Sequence, residues 1–445
     1  MADIHPFKGI IYNREKIFDF SRVVAPPYDI ISSVEQEQYY EMSPYNVIRL
    51  ILGKEFTADT SSENRYTRAA EFFKDWQADK ILIRDREPSL YLYSQGFSIK
   101  GKRFVRHGFF ALVRLEEYEK GVIIPHERTL SAPKADRLKL MQACQANFSP
   151  VFVLYPDKGD ELIRYLKSGI TGDPLIEIRD KKEVFHQFFP ISDRGILSWV
   201  KGKLERKPLF IADGHHRYET ALAYRNELRR KKPHYTGNES FNYMMMYLTS
   251  IEGKGLVILP YHRVLHSLSS FTFSTFEKEV KETFDIETLP FHQEGERETR
   301  SNFLKRLEKK GKDGHAFGLF VRGVNVYYIL TLKPDSSTEG GIASHVSQLD
   351  VTIVESLIFN KILGITSEQL RVQKNIEYVH DSEEAFHLIR DRGFQLAFIL
   401  NPTRIEGVKA VATNGETMPQ KSTYFYPKLL SGLVINRLDP DEKID

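Results

Sequence analysis

Strand-like and helix-like segments alternate along the chain and predict an α/β (α+β) fold, on the strength of three stretches. The apolar run Val47, Ile48, Leu50, Ile51 and Leu52 reads as a buried strand, and Tyr66, Ala69, Ala70, Phe73 and Trp76 follow it at helical spacing. The segments "SLYLYSQGFSI" and "KRFVRHGFFALVRLEEY" flank the polar "SIKGKR" turn and predict a hairpin. Leu209 to Ala212 is a short apolar strand, after which Ala221, Leu222, Tyr224 and Leu228 recur at helical spacing.

The remaining elements follow in order. In "RVVAPPYDII" the pair Pro26-Pro27 forbids helix and favours an extended or turn conformation that presents Tyr28 and Asp29. "GVIIPHERTLSAPKADRLKLMQACQANFSPVFVLYPD" reads as strand, polar loop, helix from about Pro133, then strand. "ELIRYLKSGI" and "RGILSWVKGKL" read as helices around the strands "DPLIEIRD" and "EVFHQFFPI". Beyond "FNYMMMYLTSIEGKGLVILPYHRVL", with two strand-like runs, the Ser/Phe-rich passage from Ser267 to Ser274 sets a domain boundary near residue 265. The helices "STFEKEVKETF", "ETRSNFLKRLEKKGK" and "DVTIVESLIFNKIL", the hairpin "HAFGLFVRGVNVYYILTLK" and a strand about "AFIL" fill the rest.

Composition narrows the function classes. At 445 residues the chain can bury two or three cores without disulfides, and 41% hydrophobic with 28% charged residues is the balance of an ordinary globular protein. With 63 basic against 60 acidic residues, charge alone does not favour a nucleic-acid partner. The lone Cys144 excludes an internal disulfide framework and fits a reducing compartment, so cytoplasm is the expected location. Neither a signal segment nor a long uninterrupted apolar window is present, so no membrane role is expected.

Four stretches could carry chemistry. In "FIADGHHRYETALAYR" the strand-to-helix junction places Asp213, Gly214, His215, His216 and Arg217 at a helix start. There, free backbone N–H groups and the helix dipole favour phosphate or carboxylate, Gly214 permits close approach, and Arg217 can clamp two oxygens. The plainer alternative makes Asp213 an N-cap and Gly214 a turn residue. Metal is the weaker reading, because consecutive histidines diverge on a helix and no H-E-x-x-H spacing occurs. In "PHERTLSAPKADR" the residues Glu127, Lys134 and Arg137 put a carboxylate among cations, where it could act as a base on a hydroxyl; a solvated charged loop is the alternative. In "TMPQKSTYFYPK", Lys421 and Ser422 could meet phosphate beside stacking aromatics, or simply anchor a surface loop. "VVAPPYDII" divides evenly between the two kinds of reading. No Walker-type loop and no G-x-G-x-x-G after a strand is present.

Together "HPFKGI", "VVAPPYDII", "YNVIRLILG", "PHERTLSAPKADRL", "ADGHHRYETALAY" and "MPQKSTYFYPKLLSGLV" resemble, in order, the bacterial and archaeal family known as domain of unknown function 1015. Separately, "DGHHR" is similar to the phosphate-binding motif of the ParB/sulfiredoxin superfamily, which includes sulfiredoxins, CTP-binding partition proteins and kinases of free serine. His215 stands where a sulfiredoxin carries its catalytic cysteine, and no helix-turn-helix module is evident after residue 240. The resemblance therefore implies a ParB/sulfiredoxin-like mixed-sheet core over 1–265 that binds nucleotide, with a C-terminal α+β domain over 266–445. It implies ATP or ADP held by Gly214, His215, His216 and Arg217, Mg²⁺ or the loop oriented by Asp213, and phosphoryl transfer to free serine or a similar small hydroxylated metabolite. On that reading His216 and Arg217 stabilise the transferring group; Glu127, chosen for its loop and cationic neighbours and not from a matched motif, is the base, and Arg137, Lys134, Lys421 and Ser422 are further phosphate contacts. Two other functions stay open: a non-catalytic nucleotide-binding switch or scaffold, and a phosphohydrolase. Homo-oligomerisation stays open as well.

Overall fold

The computed structural model describes residues 1–232, 234–269, 271–334 and 344–444. It has the α/β (α+β) class the alternation predicts. The chain forms two compact units: residues 1–125, 129–257 and 427–445 make the first, and 126–128 with 258–426 the second. Where the sequence suggests one cut near 265, the chain passes between these units four times, because residues 126–128 group with the second unit and the last segment returns to the first.

The first unit is built on a nine-stranded mixed sheet. Its strands are β1 (Ile4–His5), β2 (Leu90–Ile99), β3 (Lys102–Arg114), β4 (Ile123–Ile124), β5 (Val151–Tyr155), β6 (Ile176–Arg179), β7 (Phe185–Ile191), β8 (Leu209–Asp213) and β9 (Tyr243–Ser250). They run in the order β4-β8-β5-β9-β3-β2-β7-β6, with β1 paired to β3. The β4–β8 and β5–β9 pairs are parallel and the rest antiparallel. The expected hairpin is β2–β3, closed by Lys100 at φ 49° and Gly101 at φ 78°, the two left-handed residues that a two-residue turn requires. Every residue of β9 is buried, as a central strand demands. The helices of this unit include α1 (Arg65–Ala78), α2 (Ser131–Cys144), α3 (Glu161–Ser168), α4 (Arg194–Leu204) and α5 (His215–Lys231).

One expectation fails in type. Ile48–Ile51 is a helical turn, not a strand. Its apolar side chains are buried as expected, but the Asn46 carboxamide oxygen accepts from the Ile48 N–H at 2.9 Å, and its amide donates to the carbonyls of Arg22 and Val24. That side chain turns the backbone, and a short apolar run cannot by itself distinguish buried helix from buried strand.

The C-terminal segment is threaded through the first unit. Ala25 bridges Ser431, Ile10 bridges Ile435, Asn436–Arg437 pairs with Ala146–Asn147, and Leu438 joins the main core.

The second unit holds a six-stranded antiparallel sheet of β10 (His262–Leu265), β11 (Phe284–Pro290), β12 (Ala316–Val321), β13 (Val326–Leu332), β14 (Ile376–Val379) and β15 (Leu396–Ile399), ordered β11-β13-β12-β15-β10-β14. Alternation sorts its side chains into two cores. Phe317, Leu319, Leu330 and Phe398 join helices Phe273–Thr283 and Ile405–Thr413, while Phe320, Tyr327, Ile329 and Ile399 join Glu296–Asp313 and Ser382–Asp391. "DVTIVESLIFNKIL" is helical, with a widened π-helical stretch at Val354–Asn360. Among the described residues, no helix is long and apolar enough to cross a membrane.

Candidate anion-binding site

The buried strand β8 reaches the junction through a register shift against β5 between Ile211 and Asp213. Such a bulge re-aims the last side chain of a strand. Asp213 accordingly ends the strand and is not the N-cap; Gly214 takes that place at φ 93°, and α5 starts without a side-chain cap. The glycine answers two demands at once. Left-handed backbone favours it, and a Cβ here would lie 2.9 Å from the guanidinium carbon of Arg217. Arg217 thus folds back over the helix start, close enough that a Cβ at 214 would require its guanidinium to shift.

The Asp213 carboxylate receives two cations. Arg217 donates to Oδ2 at 2.5 Å and the Lys428 ammonium reaches Oδ1 at 2.5 Å, while a second Arg217 nitrogen donates to the Pro150 carbonyl. Burial alone would raise the Asp213 pKa; the charges of Lys428 and Arg217 outweigh it and hold the group well below the ordinary carboxylate range. One negative charge therefore faces two positive ones. His215, also buried, adds to the field on Asp213.

His216 links this helix start to another. Its Nε2 accepts the Leu130 N–H at 2.8 Å, and Leu130 is the N-cap position of α2, which likewise lacks a side-chain cap. Two helix N-termini, each carrying about half a positive charge, are thereby tied together. Nearby, Glu219 of α5 accepts from Thr129 at 2.7 Å and Lys134 at 2.8 Å. Arg137 of α2 pairs with Asp136, donates to the Ile51 carbonyl at 2.7 Å and stacks 3.9 Å from the centre of the Tyr28 ring. Tyr28, Arg137, Ser149, Arg217 and Thr220 line a small cleft of about 40 Å³ that opens to solvent. Asp29, beside Tyr28 on the two-proline turn, is exposed, and its charge is felt by His216.

Burial, outweighing the charges of Glu219 and Asp29 that would raise it, keeps His216 below its ordinary 6.5, so the ring stays neutral and able to accept. A histidine with a depressed folded pKa adds stability that is whole above 6.5 and is lost as pH falls through the folded value. His216→Ala is expected to cost about 1 kcal/mol near neutrality. In urea titrations the gap to wild type should narrow as the pH is lowered from about 7.5 to about 5; a constant gap would sink the assignment.

The structure therefore gathers Asp213, Gly214, His215, His216, Arg217, Lys134 and Arg137 in the first unit. Glu127, Lys421 and Ser422 belong to the second. There the backbone of Glu127 bridges Met418, Ser422 is buried with its hydroxyl donating to the Pro419 carbonyl at 2.6 Å, and the Lys421 ammonium lies 5.4 Å from the Tyr261 ring centre. As a Mg²⁺ ligand Asp213 is poorly suited, because both its oxygens already accept from cations. Among the described residues, no group of three or more His, Cys, Asp or Glu could hold a metal ion. Cys144 is buried, and burial pushes its thiol up to about 12, outside the range of a nucleophile. Sequence reading passed over Lys428 and Glu219. The first closes the string "TMPQKSTYFYPK", and the second stands one helical turn after His215; neither position signals its partner.

Comparison with solved structures finds loose likenesses. A free serine kinase variant in complex with ADP shares 13% identity at a TM-score of 0.34, covering 72% of this chain and 87% of its own. A conserved hypothetical protein from Pyrococcus furiosus shares 12% identity at a TM-score of 0.36, covering 75% and 97%. SbnI with a C-terminal truncation, from Staphylococcus aureus, shares 11% identity at a TM-score of 0.38, covering 75% and 90%. No curated protein matches the chain. The family described as "Protein of unknown function (DUF1015)" matches residues 4–352, well over half of the chain, and to that family the protein belongs.

Proposed function

We propose that the first unit binds the phosphates of a nucleotide, ATP or ADP, and transfers a phosphoryl group to a small hydroxylated metabolite. One observation carries the reading: two helix starts without side-chain caps are joined through His216 and Leu130, beside a carboxylate that receives more positive charge than it carries. That arrangement attracts an anion and leaves it backbone donors. Arg217 and the first turn of α5 would hold the phosphates, with Arg137 in the cleft and Lys134 on the first turn of α2. The bound nucleotide supplies the phosphoryl group, and Arg217 offsets the charge that develops on it.

A base for the acceptor hydroxyl is needed in the same unit. Asp29 meets that need, being exposed, held on the Pro26-Pro27 turn next to the cleft residue Tyr28, and within the electrostatic reach of His216. It takes the proton as the hydroxyl oxygen bonds to phosphorus and the bond to the departing phosphate breaks. The free serine kinase solved with ADP suggests the first compounds to try.

Incubation with labelled ATP or ADP, Mg²⁺ and a panel of amino acids and sugars should yield a phosphorylated acceptor. Free phosphate alone would indicate a phosphohydrolase, and binding without turnover a switch. Asp29→Asn is expected to lower turnover by about 10²-fold or more while nucleotide affinity stays within about threefold. If Glu127→Gln abolishes turnover and Asp29→Asn does not, the base is Glu127.

A further inference from the structure

We infer that the second unit carries a small-molecule site of its own, for a zwitterion with an apolar body: an amino acid or dipeptide bearing a large aliphatic or aromatic side chain. This site owes nothing to the cleft of the first unit. Residues of the helix Phe273–Thr283, of the chain leading into it and of the turn after the π-helical stretch surround a cavity of about 490 Å³ that opens to solvent, against about 40 Å³ for the cleft beside Arg217. That size falls within the ~300–1,000 Å³ of small-molecule sites. The apolar wall is an unfinished edge of a core. Phe276 and Ile365 are buried in that core, whereas Leu268, Phe271, Ile362 and Leu363 pack against it and stay half-buried. An apolar side chain entering the cavity completes their burial.

Two charges give the cavity its polarity. Glu279, half-buried on the helix, and Lys374, exposed, both line it. Among the described residues neither has a hydrogen-bond or ion-pair partner, and they are not paired with each other. A carboxylate and an ammonium held apart beside an apolar wall match a ligand that carries both charges. Its ammonium donates to Glu279, its carboxylate accepts from Lys374, and its side chain meets the rings of Phe271 and Phe276, whose centres lie 5.8 Å apart. A simple anion would meet Glu279 and a simple cation Lys374, so both are disfavoured. The wall itself stands without a ligand. Gln395 accepts from the Leu268 N–H at 2.7 Å and donates to the Leu268 carbonyl at 3.0 Å, and Asn375 donates to the Ser267 carbonyl at 3.2 Å.

The test is calorimetric titration of the full chain with L-phenylalanine, L-leucine and L-leucyl-L-phenylalanine, and with phenethylamine and 3-phenylpropanoate, which lack one charge each. At least one of the three zwitterions should bind about tenfold or more tighter than either singly charged compound. Whether the amino acids or the dipeptide bind tighter identifies the class. Glu279→Gln should weaken that zwitterion and phenethylamine by about tenfold without weakening 3-phenylpropanoate, and Lys374→Met should do the reverse for the two singly charged compounds. Neither side chain is buried, so urea midpoints should stay at the wild-type value. Absence of saturable binding by every zwitterion, equal binding of the singly charged compounds, or unchanged zwitterion affinity in either variant overturns the inference. The phosphate reading of the first unit stands or falls separately, on ADP binding.

Discussion

Arg217→Met should lower the unfolding free energy by about 3 kcal/mol and abolish measurable binding of ADP. The side chain is buried and holds two partners, the Asp213 carboxylate and the Pro150 carbonyl. Removing one member of a buried ion pair costs about 3–5 kcal/mol, because the other charge is left without compensation. Here Lys428 still covers Asp213, which brings the cost to the lower end, while the Pro150 carbonyl loses a donor worth about 1 kcal/mol. Methionine keeps most of the apolar stem. Urea unfolding should show a lower midpoint at an unchanged slope. Arg217→Lys should recover part of the stability but little of the binding, since a single ammonium cannot span both partners and a phosphate. A variant that binds ADP like wild type would remove the basis for the whole site.

Gly214→Ala is expected to cost about 2–4 kcal/mol, from two separable sources. A backbone at φ 93° is strained for any residue with a Cβ, and the new methyl would press on the Arg217 guanidinium. Gly214→Asn distinguishes them. Asparagine tolerates left-handed backbone, so it should regain some stability, but it displaces Arg217 just as alanine does. Anion affinity should therefore be lost in both variants although their unfolding midpoints differ. Equal affinity in Gly214→Asn and wild type would mean that the position of Arg217 over the helix start is irrelevant to binding.

Much of the local structure was legible because local interactions decide it. The β2–β3 hairpin follows from its turn residues, the junction at Leu209 to Arg217 from an apolar run meeting a helical period, and the family from its ordered motifs. Ile48–Ile51 was misread because one buried asparagine outweighs the apolar pattern. Whether Asp213 would cap the helix or pair with cations depended on a bulge set by the neighbouring strand, which no local pattern encodes. Lys428 was out of reach for a similar reason. Its partner lies 215 positions away in the chain, and only the packed sheet brings the two together. Glu127 falls with residues 258–426 among the compact units, a grouping that no local pattern signals.

The threading of residues 427–445 through the first unit also sets an order of events during synthesis. Strands β1 to β9 leave the ribosome before the second unit is translated, but Lys428, Asn436 and Leu438 come after it. At ~5–20 residues per second, the roughly 170 intervening residues impose a wait of about 10–30 s. Throughout that interval the nascent first unit lacks a strand pairing, a core side chain and one of the two cations on Asp213. Full affinity of a nascent chain for phosphate should therefore wait until residues 427–438 have been made and have left the ribosomal exit tunnel.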